Sequence, residues 1–132
     1  MPTYRIAEAA NLLGISDDTM RRLAEIEGLN AHDGSGRRVI DGEDLARLAK
    51  QRANPVDDPS EVGRSARNRF VGLVTSIESD KVMSQVELQC GSARIVSLMS
   101  TEAVEDLHLS PGDLAVAVVK STMVAVETPR AR

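Results

Sequence analysis

Ser65, Arg67, Lys120 and Ser121 supply hydroxyl and cationic N–H donors, and a helical turn predicted to begin near Ser100 and Thr101 adds free backbone N–H groups. Such donors suit a tetrahedral oxyanion, which needs converging N–H and O–H groups, limited positive charge and no carboxylate facing inward. A second set, Arg21, Arg22, Arg37 and Arg38, suits nucleic acid, because the planar guanidinium grips a guanine edge or a phosphate with two hydrogen bonds. Read as bare residues, both sets are equally compatible with solvated surface charge. His32 falls in a predicted hairpin and His108 in a loop, with no spacing that would hold a metal cation. Cys90 reads as a small core residue, since nothing in the sequence identifies itself as its base. A Gly-rich phosphate loop, a catalytic serine motif and a paired-acid constellation are all missing. The residues indicate binding, and no enzyme is expected.

The elements that must position these residues fall into two groups of different periodicity. In residues 1–52, Ile6, Ala9, Ala10 and Leu13 recur at helical spacing and stop at Gly14, a suitable residue just past a helix end. Ser16 caps a second helix, with Asp17 and Asp18 favourably placed against its dipole, running through Met20, Leu23 and Ala24 to Gly28. Leu29 to Ile40, with Asp33-Gly34-Ser35-Gly36 at its middle, reads as a hairpin. Asp41 is expected to cap a third helix whose buried face carries Leu45, Leu48 and Ala49. Residues 53–63, containing Pro55, Pro59 and three acids before Gly63, read as a linker.

Residues 64–127 switch to period two. Strands are predicted at 70–77, 85–90, 93–99, 114–119 and 122–126, with a helical turn at 101–107 and a tight turn at Ser110-Pro111-Gly112-Asp113. The expected fold class is therefore α+β in two domains, with a small winged helix-turn-helix over 1–52 and a five-stranded OB-like barrel over 64–128.

The run Tyr4-Arg5-Ile6-Ala7-Glu8-Ala9-Ala10-Asn11-Leu12-Leu13-Gly14-Ile15-Ser16, followed by Thr19-Met20-Arg21-Arg22-Leu23 and by Gly36-Arg37-Arg38-Val39-Ile40-Asp41, resembles the MerR/excisionase-like family of DNA-binding domains. The resemblance implies that Thr19, Arg21 and Arg22 lie on the recognition helix and that Arg37 and Arg38 lie on the wing near phosphates. Asp17 and Asp18 stand where relatives often carry basic or neutral residues. Residues 1–52 hold eight Lys/Arg against nine Asp/Glu, so one copy is expected to bind double-stranded DNA weakly and a dimer with two half-sites to bind it usefully.

Ser65-Ala66-Arg67-Asn68-Arg69-Phe70-Val71-Gly72, with Ser100-Thr101-Glu102-Ala103, Leu109-Ser110-Pro111-Gly112-Asp113 and Val119-Lys120-Ser121 following in order, resembles the molbindin or Mop domain, a TOBE-like small barrel. What the resemblance implies is a site for molybdate or tungstate formed by Ser65, Ala66, Arg67, Asn68, Ser100, Thr101, Ala103, Lys120 and Ser121, shared between subunits of a homo-oligomer. Ser100 replaces a common Thr and keeps the hydroxyl; Ala103 replaces a common Ser and loses one.

Composition narrows the function classes. The chain has 132 residues, 42% apolar and 27% charged, a net charge of −4, one Tyr, one Phe and no Trp. Aromatic stacking on bases is therefore unavailable, and a negative chain does not coat nucleic acid or anionic membrane. One cysteine excludes an intrachain disulfide, a thiolate zinc site and a single-chain iron–sulfur cluster. With no signal-like start and no apolar stretch near the ~20 residues of a membrane span, a cytoplasmic protein without membrane contact is expected. Taken together, the two resemblances imply a molybdate-responsive transcriptional regulator. An alternative is an intracellular molybdate storage protein whose first domain serves assembly.

Overall fold

The structure is a computed structural model that describes residues 2–53, 57–60 and 66–129. The chain divides into two compact units, Met1–Pro55 and Val56–Arg132. The first contains β1 (Thr3–Arg5), α1 (Ile6–Leu13), α2 (Asp17–Ile26), β2 (Val39–Asp41) and α3 (Gly42–Arg52). Local chemistry sets the helix ends. The Glu8 carboxylate accepts the Arg5 N–H at 3.1 Å at the start of α1, and Gly14 closes that helix at φ 68°, which lets the Ile15 N–H reach the Ala10 carbonyl at 3.0 Å. Two residues on, Ser16 Oγ accepts the Thr19 N–H at 3.1 Å and caps α2. The apolar faces of the helices meet in one core of Ile6, Ala9, Ala10, Met20, Ala24, Ile40, Leu45 and Leu48, with Tyr4 packed against it.

One sequence expectation in this unit, the Asp41 cap, is corrected. The segment 29–40 is a minimal hairpin, with the antiparallel bridge His32↔Arg38 between the Asp33 N–H to Arg37 carbonyl bond at 2.8 Å and the Val39 N–H to Ala31 carbonyl bond at 3.0 Å. The continuation of its second arm also pairs with the N-terminal strand, in the register Thr3↔Asp41, Tyr4↔Ile40 and Arg5↔Val39. The loop is held by Asp33, whose carboxylate accepts the Ser35 hydroxyl at 2.7 Å and the N–H groups of Ser35 and Arg37 at 2.9 and 3.0 Å. The Ser35 hydroxyl, then the Arg37 N–H, hold that carboxyl below its ordinary range. Asp41 occupies the N-cap position of α3, but its side chain makes no capping bond. The Gly42 N–H donates to the Pro2 carbonyl at 2.9 Å, so the N-terminal segment supplies the acceptor instead.

The second unit is a four-stranded antiparallel sheet, β3 (Asn68–Ser79), β4 (Met83–Cys90), β5 (Ala93–Ser100) and β6 (Leu114–Val119), in the order β5-β4-β3-β6, with α4 (Thr101–Asp106) between β5 and β6. The long β3 pairs with β6 through its first half and with β4 through its second, and the register shifts between Val74 and Ser76. That bulge curls the sheet around a core of Val74, Val86, Leu88 and Val104. The expected fifth strand at 122–126 does not form. Ser121–Met123 make a short 3-10 turn, and Met123, Val124 and Val126 are 77%, 47% and 90% exposed. The segment has the alternation of a strand but pairs with neither edge strand of the sheet, β5 or β6.

The close crossing of β3 and β4 depends on Gly72. A Cβ there would collide with the Gln89 carbonyl oxygen and lie 2.6 Å from Cys90 Sγ. Because a backbone atom cannot swing aside as a side chain can, Gly72→Ala is expected to destabilise the unit by about 1–3 kcal/mol, seen as a lowered midpoint in thermal unfolding. An unchanged midpoint would show that the strands part without penalty.

Candidate oxyanion and nucleic-acid sites

Ser65 lies outside the described residues. Of the others expected around an oxyanion, Ala66 is buried, Arg67 exposed and Asn68 half-buried at the start of β3. Asn68 pairs with Val119 in the ladder, and its Nδ2 donates to the Val119 carbonyl at 3.2 Å. Arg67 and Lys120, both exposed, are the residues that follow this last rung on the two chain segments. Among the described residues neither makes an ion pair within 4.0 Å. Ser121 follows in the exposed 3-10 turn.

The remaining candidates, Ser100, Thr101 and Ala103, begin α4 beyond the far end of β3. Ser100 pairs with Met83, and the neighbouring Ser84 pairs with Ser79. Asn68 and Ser79 are separated by about 36 Å of strand contour, although the strand is bent. Within one chain the two donor groups therefore mark opposite ends of the same strand. Several donors at the α4 start are already engaged. Ser100 Oγ accepts the Ala103 N–H at 3.1 Å. The Thr101 hydroxyl donates to the Asp80 carbonyl at 2.8 Å and meets Ser84 Oγ at 2.9 Å, while its N–H reaches the Val82 carbonyl at 2.9 Å. Ser84, 1% exposed, also bonds Ser79 Oγ at 2.6 Å. Thr101 thus fixes the turn in place, and the Ser100 hydroxyl proton and Glu102 N–H remain unclaimed among the described residues.

Just upstream of β3, Asp58 accepts the Arg69 Nε–H at 2.7 Å and the Ser60 N–H at 2.8 Å. The two side chains are only 16% and 11% exposed. Arg69 foremost, then the Ser60 N–H, hold the Asp58 carboxyl well below the usual carboxylate range. Residues 57–60, read from the sequence as linker, are therefore fastened to the second unit. Cys90 Sγ donates to the Phe70 carbonyl at 3.6 Å, and burial pushes its thiol upward, away from a reactive thiolate. Among the described residues, no group of three or more His, Cys, Asp and Glu could hold a metal ion.

In the first unit α2 buries Met20 and Ala24 and turns Arg21 and Arg22 outward. Arg21 Nη1 contacts Asp18 at 3.0 Å in an exposed pair of small energetic value. Thr19 Oγ1 accepts from Ser16 Oγ at 2.8 Å and so belongs to the helix cap. Arg37 is exposed, whereas Arg38 is directed inward. The Arg38 guanidinium donates to the Leu29 carbonyl at 2.8 and 3.3 Å and lies 3.9 Å from Glu25. It therefore ties the loop to the end of α2. Arg5 was not among the sequence candidates, because its pairing with Val39 comes from a strand of three residues that has no periodic signature.

The chain thus joins a helix-turn-helix unit to a curled antiparallel sheet with two exposed cations beyond one strand end. The chain belongs to the TOBE domain family, matched over residues 64–126, and residues 3–53 match a helix-turn-helix domain. It is 40% identical over 63 residues to the probable molybdenum-pterin-binding protein of Haemophilus influenzae, a match covering 47% of this chain and 91% of that one. It is also 38% identical over 65 residues to the molybdenum transport protein ModE of Herbaspirillum seropedicae, covering 48% of this chain but only 24% of that protein. Among solved structures, a molybdate-binding protein from Sporomusa ovata is similar, with 30% identity and a TM-score of 0.49, over 51% of this chain and all of the other. No helix among the described residues is long and apolar enough to cross a membrane.

Proposed function

We propose that this chain is a molybdate-responsive, cytoplasmic DNA-binding regulator. In this reading residues 1–52 bind DNA, 53–63 tether, and 64–128 bind molybdate or tungstate. The observation that carries it is Arg67 and Lys120, two exposed cations just past the Asn68↔Val119 rung and without a carboxylate partner among the described residues, in a domain with relatives named for binding molybdenum compounds. Ser65, Ala66, Asn68 and Ser121 complete that half of the site, and Ser100, Thr101 and Ala103 frame the other.

Because these halves mark opposite ends of β3, the site is closed by two copies of the chain. Support for assembly comes from the unpaired edges of β5 and β6 and the apolar cavity of about 660 Å³ opening between them, lined by Leu88, Ile95, Met99, Ala115 and Ala117. The exposed apolar segment 122–126 of a second copy is a fitting cover for it. Assembly also pairs the DNA-binding heads, which helps a domain carrying more acids than bases.

Calorimetric titration with molybdate against a sulfate control, together with duplex binding in the presence and absence of molybdate, tests the proposal. Heat above the control and a ligand-dependent change in DNA affinity are expected, the change requiring that the anion favour one arrangement of the oligomer over another. Molybdate binding with no DNA affinity in either condition would instead favour the storage reading, which the Asp18–Arg21 pair on α2 supports. The lack of heat above sulfate would overturn both.

A further inference from the structure

The first unit contains more acids than bases, so its approach to a polyanion depends on which cations the fold leaves unpaired. Arg21 is held by Asp18, Arg38 by the Leu29 carbonyl and Glu25, and Arg47 by Glu27 and Asp44. Arg5, Arg22, Arg37, Lys50 and Arg52 make no ion pair within 4.0 Å among the described residues. Among these, Arg5 is distinguished by where the ladder puts it. It sits opposite Val39, two residues beyond Arg37, on the strand pair at the base of the 29–40 loop. The positive charge of Arg5 is close enough to help lower the Asp33 carboxyl in the loop's turn. Asp33 itself is engaged by Ser35 and by the Arg37 N–H, and does not bind the Arg5 guanidinium directly. The Arg5 backbone is fixed by Glu8, so its exposed side chain leaves from a defined point between β1 and α1.

We propose that Arg5 is a phosphate-contacting residue of the DNA-binding head, at the base of the wing, acting with Arg37 beside its turn as a two-cation clamp. The assignment rests on the reading of the first unit as a DNA-binding domain, and its chemistry is that of a point charge on a phosphate, carrying no base preference. A cation so placed releases about one counterion equivalent on binding.

The test uses the full chain and a fluorescently labelled mixed-sequence DNA duplex, with binding followed by anisotropy across a salt series. Arg5→Ala is expected to weaken binding roughly tenfold at low salt and to lower the salt slope by about one. Arg5→Lys, which keeps the charge, restores both. Lys50→Ala removes the same charge from α3, away from the wing, and leaves both little changed. Should Arg5→Ala perturb folding, Arg5→Gln keeps the stem and gives the same loss. If the Arg5 and Lys50 variants weaken binding equally, the effect is one of net charge and the assignment is overturned. If the unmodified chain shows no salt-dependent binding, the DNA-binding reading falls first and takes the clamp with it.

Discussion

Arg67→Ala is expected to lower molybdate affinity at least tenfold, and Arg67→Ala combined with Lys120→Ala to abolish measurable binding in calorimetry. Each side chain offers a charge-assisted hydrogen bond to the dianion, and removing one such bond costs about 1.5–3 kcal/mol, or roughly 10- to 100-fold. The geometry adds a signature that a merely structural role would not produce. Both cations are exposed just past the Asn68↔Val119 rung and make no ion pair among the described residues, so removing one costs the empty protein little. The variants should therefore melt, without ligand, close to the parent, while losing the upward shift that molybdate gives the parent by mass action. Binding unchanged in both single variants would show that the anion sits elsewhere.

The second large effect concerns assembly. Val124→Asp with Val126→Asp is expected to return the chain to a 14.2 kDa monomer in light scattering and to remove molybdate binding with it. Both valines are exposed in the single chain, so the changes have little to disturb within it. Covering a valine is worth about 1.5–3 kcal/mol, and placing a carboxylate against an apolar cavity adds a desolvation penalty. Loss of binding at a distance from Arg67 and Lys120 follows because a monomer cannot bring both ends of β3 to one anion. An unmodified chain that is already monomeric and still binds molybdate would sink the shared-site reading.

What the sequence disclosed was mainly what neighbouring residues decide. Gly14 and Ser16 mark the turn between α1 and α2 because one adopts a left-handed backbone and the other caps through an N–H three residues away. The alternation of β3, β4, β5 and β6 was equally plain, since each lays one face on the core. Misreadings arose where the partner lies far along the chain. The 29–40 segment pairs with itself as its turn residues indicate, but nothing near it announces that Thr3–Arg5 pairs with the continuation of its second arm. Arg37 and Arg38 are adjacent and chemically identical, yet only the fold turns one outward and sends the other to the Leu29 carbonyl. The hydroxyl of Thr101 looked available to an anion until the β3–β4 turn brought Asp80 and Ser84 against it. Residues 122–126 carry a strand's pattern without a strand's partner, which is what a segment suited to another copy looks like when read alone.

Tyr4 packs against the core of the first unit, and the chain has no tryptophan. Excited on the long-wavelength side of tyrosine absorption, where Phe70 of β3 does not absorb, the protein therefore emits from only one of the two units. Heating the intact protein and following tyrosine emission reads out the melting of the head alone. The far-ultraviolet signal reports both units. Subtracting the first transition from the second separates two stabilities in one sample, with no label and no need to cut the chain.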